Sequence, residues 1–109
     1  MKLVFAVVQG EDAQRTVEAL GQAGFSSTRM SSTGGFLQQG NVTLLIGVDE
    51  EKVADAVHII RENCRERSRY LTPAMPTAEP GDFLAAFPVE VQVGGATVFV
   101  VPVDSFEKI

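Results

Sequence analysis

The residues best suited to chemistry lie in Thr33-Gly34-Gly35-Phe36-Leu37-Gln38-Gln39-Gly40-Asn41. Glycines at 34, 35 and 40 let backbone N–H groups approach a ligand closely. Asn41 carries both a donor and an acceptor, as recognition of a base edge or a ribose requires. Thr28, Ser32 and Thr33 add hydroxyls. Phe36 in this stretch, and Phe99 near the C-terminus, could stack on an aromatic base. The chemistry these groups suit is binding. Two plainer roles remain open: the stretch also suits a hairpin loop with a hydrophobic plug, and Phe99 also suits core or interface packing.

Groups for catalysis are sparse. His58 is the single histidine and falls in a helical pattern, off the apolar stripe. It reads as a solvated surface residue rather than a base. Cys64, the single cysteine, belongs to the apolar stripe and reads as core packing rather than as a nucleophile. One His and one Cys cannot build a zinc site within one chain. The acidic residues gather where helices begin, which the helix dipole explains without acid–base work. Arg65, Arg67 and Arg69 alternate with Glu62 and Glu66 nearby and read as a solvated face rather than an anion site. No lysine follows the glycines in phosphate-loop spacing. A non-enzymatic protein without cofactor or metal is expected.

The bulk of the chain narrows the partners. It has 109 residues, enough for one domain with its own core. The net charge is −5, which disfavours a nucleic acid polymer, whose binding rests on phosphate neutralisation. A small anionic ligand needs only a few local donors. A lone cysteine permits no internal disulfide and points to a reducing compartment. The apolar start, Met1-Lys2-Leu3-Val4-Phe5-Ala6-Val7-Val8, ends at Gln9-Gly10-Glu11-Asp12, too soon for a signal peptide. No apolar run approaches the ~20 residues of a membrane span. A cytoplasmic protein away from the membrane is expected.

The positioning elements follow from periodicity. Residues 3–8 are a nearly continuous apolar run, as in a central strand. Gly10-Glu11-Asp12 opens a helix with Ala13, Val17 and Leu20 at helical spacing, stopped near Gly24. Residues 25–32 and 41–48 read as two strands of a hairpin around the glycine stretch. Asp49 suits an N-cap, and a second helix to about Arg65 buries Val53, Ala56, Val57, Ile60 and Cys64. Residues 66–87, with Pro73, Pro76, Pro80 and Gly81, read as one long flexible loop. Val89, Val91 and Val93 alternate with polar residues, and Gly94-Gly95 reads as a two-residue hairpin turn into a last strand, 96–103. The order predicts an α+β, ferredoxin-like βαββαβ sandwich with an added C-terminal strand. Its antiparallel sheet carries two helices on one face. The other face is apolar in three strands and must bury itself, most simply by self-association.

Several blocks together resemble a known family. They are Ala6-Val7-Val8-Gln9, Thr33-Gly34-Gly35-Phe36-Leu37, Gly40-Asn41-Val42-Thr43, Ile46-Gly47-Val48, Glu62-Asn63-Cys64 and Pro88-Val89-Glu90-Val91-Gln92-Val93-Gly94-Gly95-Ala96-Thr97-Val98-Phe99-Val100. The chain is similar to the PII-like cyclic di-AMP receptor proteins over nearly its whole length, apart from 67–87. The resemblance implies a homotrimer, one cyclic di-AMP per subunit interface, no catalysis, and an unidentified downstream protein partner. It places ligand contacts on Thr28, Gly35, Phe36, Leu37, Asn41, Gly47 and Phe99. Two further candidate positions depart from the family pattern. Ser26 stands where a basic residue is common, and Lys108 where a glutamine is usual. Pro76-Thr77-Ala78-Glu79-Pro80-Gly81 replaces the family's Met-Gly-Gly segment. These departures keep two alternatives open: a PII-like regulator of another nucleotide such as ATP, or a partner-docking trimer without a small ligand.

Overall fold

The computed structural model describes residues 1–31, 40–71 and 88–109. In chain order they form β1 (Lys2–Gln9), α1 (Gly10–Gln22), β2 (Ser27–Ser31), β3 (Asn41–Val48), a 3-10 turn (Glu50–Lys52) and α2 (Val53–Asn63). Then come β4 (Arg67–Leu71), β5 (Val89–Val93) and β6 (Ala96–Pro102). β2, β3, β1 and β6 make one sheet in that order, antiparallel throughout. Among the described residues, β4 and β5 pair only with each other, as a two-stranded ribbon. The ferredoxin-like α+β class holds, with the extra strands inserted as this ribbon before the last strand of the main sheet.

The period of two sorts each strand into faces. Val4, Ala6 and Val8 of β1, and Val42, Leu44, Ile46 and Val48 of β3, are buried on one face. They pack with Ala13 and Leu20 of α1, Ala56 and Ile60 of α2, and Cys64 in one core. Both helices cover this face. The intervening residues point to the other face, which no helix or strand among the described residues covers and which the tail residue Phe106 reaches at one end.

Three local expectations are corrected. Residues 66–87 are not one loop, because β4 occupies Arg67–Leu71. The strand hides in the sequence because Arg67 and Arg69 stand where an inward-facing strand would carry apolar residues. They face Glu11 and Asp12 in the first turn of α1 instead of the core. Gly94-Gly95 is not a hairpin turn either. β5 pairs with β4 while β6 pairs with β1, so the two glycines form a corner between two sheets. Both sit at positive φ, 84° and 88°. α2 also ends at Asn63, slightly before the expected Arg65.

Candidate functional site

The uncovered sheet face collects four of the candidate residues, Thr28, Asn41, Gly47 and Phe99. Strand register aligns Thr28, Leu45, Phe5 and Phe99 in one row across all four strands. Gly47 lies opposite Leu3, and Asn41 opposite Gln9, on the same face. Apolar groups fill the centre. Met30, Phe99 and Val101 are 48%, 46% and 37% exposed, a large apolar content for one open surface.

The row also separates its members. Thr28 and Phe99 sit on opposite edge strands, three strand spacings or roughly 14 Å apart. Asn41 and Gly47 are six residues apart on β3, roughly 20 Å. One cavity of about 460 Å³ gathers Ser26, Thr28, Leu45 and Gly47 at one end of the face, with Phe106 from the C-terminal tail. A second, of about 340 Å³, gathers Gln9, Asn41, Glu66, Gly94 and Thr97 at the other end. The structure thus joins Ser26, Thr28 and Gly47, and holds Asn41 and Phe99 apart from them within one subunit. Lys108 is exposed in the tail and lines neither cavity. Gly35, Phe36 and Leu37 lie outside the described residues.

The arginines after α2 are committed to carboxylates. Arg67 Nη2 is 2.9 Å from Asp12 Oδ1, and Arg69 Nη2 is 2.9 Å from Glu11 Oε2. Arg65 Nη2 is 2.7 Å from Glu62 Oε2. Asp12 is fully buried and also receives Arg15 Nη2 at 2.9 Å. The hydrogen bond to Asp12 raises the Arg67 pKa further above its ordinary value, so Arg67 stays charged. The Arg67 and Arg69 pairs strap the β4–β5 ribbon to the start of α1. Sequence reasoning missed this, because partners 55 residues apart leave no local signal. The only cue was an acidic pair opening α1.

The thiol is silent. Cys64 is 1% exposed and Sγ lies 3.1 Å from Thr16 Oγ1. The Thr16 hydroxyl already donates to the Asp12 carbonyl at 2.7 Å, so the thiol donates to Thr16. Burial pushes the Cys64 pKa up from its ordinary value. The thiol is therefore protonated at neutral pH, and its contribution to stability is lost as pH rises through the raised pKa. A thiol-reactive reagent at pH 8 is expected to modify native protein at least about tenfold more slowly than urea-unfolded protein. Equal rates would place Cys64 at the surface. His58 is exposed on α2. Among the described residues, no group of three or more His, Cys, Asp or Glu side chains could hold a metal. Nor is any helix there long and apolar enough to cross a membrane.

The comparisons agree with this fold. The family described as "Cyclic-di-AMP receptor" matches residues 1–109. A crystal structure of a functionally unknown protein from Pediococcus pentosaceus is similar at TM-score 0.77 and 40% identity. The match covers 99% of this chain and 96% of that one. With its ferredoxin-like sheet and a family match running from the first residue to the last, the chain belongs to the cyclic-di-AMP receptor family.

Proposed function

We propose that this protein is a non-enzymatic signal-transduction receptor that binds cyclic di-AMP in clefts between the subunits of a homotrimer. The observation that carries the reading is the open sheet face. Thr28, Asn41, Gly47 and Phe99 all lie on it, yet Thr28 and Phe99 occupy opposite edges of one row. A neighbouring subunit packed on this face brings its Phe99 and Lys108 toward the Thr28 edge of the first. The ligand then lies between them. Ser26, Thr28 and Gly47 line one end and Asn41 the other, and Gly35, Phe36 and Leu37, outside the described residues, are further proposed contacts. The roughly 20 Å between Gly47 and Asn41 suits an extended ligand with two bases rather than one. Burial of Phe5, Leu45, Phe99 and Val101 drives assembly. Cytoplasmic residence fits the unpaired Cys64. Occupancy would alter affinity for a downstream protein partner.

Calorimetry on the assembled protein with cyclic di-AMP, cyclic di-GMP, ATP and AMP tests the reading. Binding of cyclic di-AMP in preference to the others is expected, and no heat at tens of micromolar sinks it. Asn41→Ala is expected to weaken binding about tenfold without changing the oligomeric state. Unchanged affinity removes Asn41 from the site. Ser26 favours one second reading. It places a hydroxyl in the cavity where relatives commonly carry a cation, and a preference for ATP in the same titration would support another nucleotide.

A further inference from the structure

Gln9 occupies the N-cap position of α1, where Ser, Thr, Asp or Asn would satisfy free helix N–H groups. Its side chain makes no capping hydrogen bond. Instead Gln9 Oε1 accepts from the Gly94 N–H at 2.7 Å, 85 residues away. A backbone N–H can only donate, so the oxygen must face Gly94 and the Nε2 amide must face the other way. Among the described residues that amide meets no partner, and it is not sealed from solvent. Gln9 is the register partner of Asn41 on the open face, and both line the cavity of about 340 Å³.

We propose that Gln9 is a further ligand-contacting residue, donating from Nε2 to a hydrogen-bond acceptor of the nucleotide beside Asn41. The inference rests on the proposed cyclic di-AMP site and names a contact within it. Gly94 fixes the amide before the ligand arrives, so little rotamer freedom is lost on binding. Glu66 lines the same cavity and adds a carboxylate. Negative charge there disfavours a phosphate and favours a base edge, which pairs an acceptor nitrogen with an amino group. Gln9 and Asn41 supply donors for the first, and Glu66 and Asn41 acceptors for the second.

Two substitutions separate contact from scaffolding. Gln9→Glu keeps an acceptor for Gly94 and removes both donors. Gln9→Met removes both functions without adding charge. Calorimetry with cyclic di-AMP is expected to show at least about tenfold weaker binding for each, with the Gln9→Glu melting temperature and oligomeric state as in the unsubstituted protein. Weakening by Gln9→Met alone would mean that Gln9 only holds Gly94, and overturns the contact. Weakening by Gln9→Glu alone would mean charge repulsion, and overturns it too. If the unsubstituted protein binds and both variants match it, this inference falls and the receptor reading stands. If the unsubstituted protein gives no heat with cyclic di-AMP, both fall.

Discussion

Phe5→Glu is expected to give a folded monomer of 11.7 kDa that binds cyclic di-AMP at least about a hundredfold more weakly. Phe5 stands at the centre of the open face, between Leu45 on β3 and Phe99 on β6. Its side chain points away from both helices, so the buried set of Val4, Ala6 and Val8 is untouched. Within the subunit only cross-strand pairs are lost, about 1 kcal/mol or less each. Within an assembly the substitution puts an unpaired carboxylate into an apolar contact, which costs several kcal/mol per subunit. Separation is then the cheaper state. Binding falls with it, because a lone subunit holds its own Phe99 roughly 14 Å from Thr28. Light scattering after gel filtration gives the mass, and calorimetry on the same sample gives the affinity. A variant that stays at about three times the monomer mass with full affinity takes the open face out of the assembly contact. A monomer with full affinity keeps the receptor but confines its site to one subunit.

The sequence made some of this legible because the signals were local. The apolar run of β1, the helical spacing of Ala13 and Leu20, and the stripe ending in Cys64 each depend on residues a few positions apart. So does the unbroken apolar character of β1 and β3, which predicted an apolar face left uncovered by the helices. What escaped depends on distant partners. β4 carries arginines where an inward-facing strand would show apolar residues, and they make sense only beside Glu11 and Asp12 of α1. The two glycines at 94 and 95 signal positive φ correctly, but a hairpin and a corner between sheets both demand it. Only the pairing of β5 with β4 decides between them. Gln9 escaped for the same reason, since its partner Gly94 lies at the far end of the chain. The candidate site was legible in its residue types. Their division between two ends of a face was not, because it rests on strand register.

That corner supports the second large expectation: Gly94→Ala destabilises the subunit by roughly 2–5 kcal/mol, whereas Gly95→Ala costs only about 1–2 kcal/mol. Both residues have nearly the same φ, so the backbone strain of adding a side chain is common to both. Their surroundings differ. A Cβ on Gly94 would lie 2.5 Å from the Arg65 carbonyl oxygen and 2.6 Å from Arg67 Nη1. The guanidinium can swing aside. The carbonyl cannot move without shifting the end of α2, where the adjoining Cys64 carbonyl accepts the Gly95 N–H at 2.5 Å. A Cβ on Gly95 meets nothing closer than the Glu66 Cβ at 4.0 Å. Urea denaturation of the two variants measures the difference. Equal losses would mean that dihedral strain alone governs the corner and that the Arg65 contact yields freely. Unequal losses should carry over to the ligand. A displaced Gly94 releases the Gln9 amide it orients, so Gly94→Ala should also weaken cyclic di-AMP binding more than Gly95→Ala under conditions where both variants remain folded.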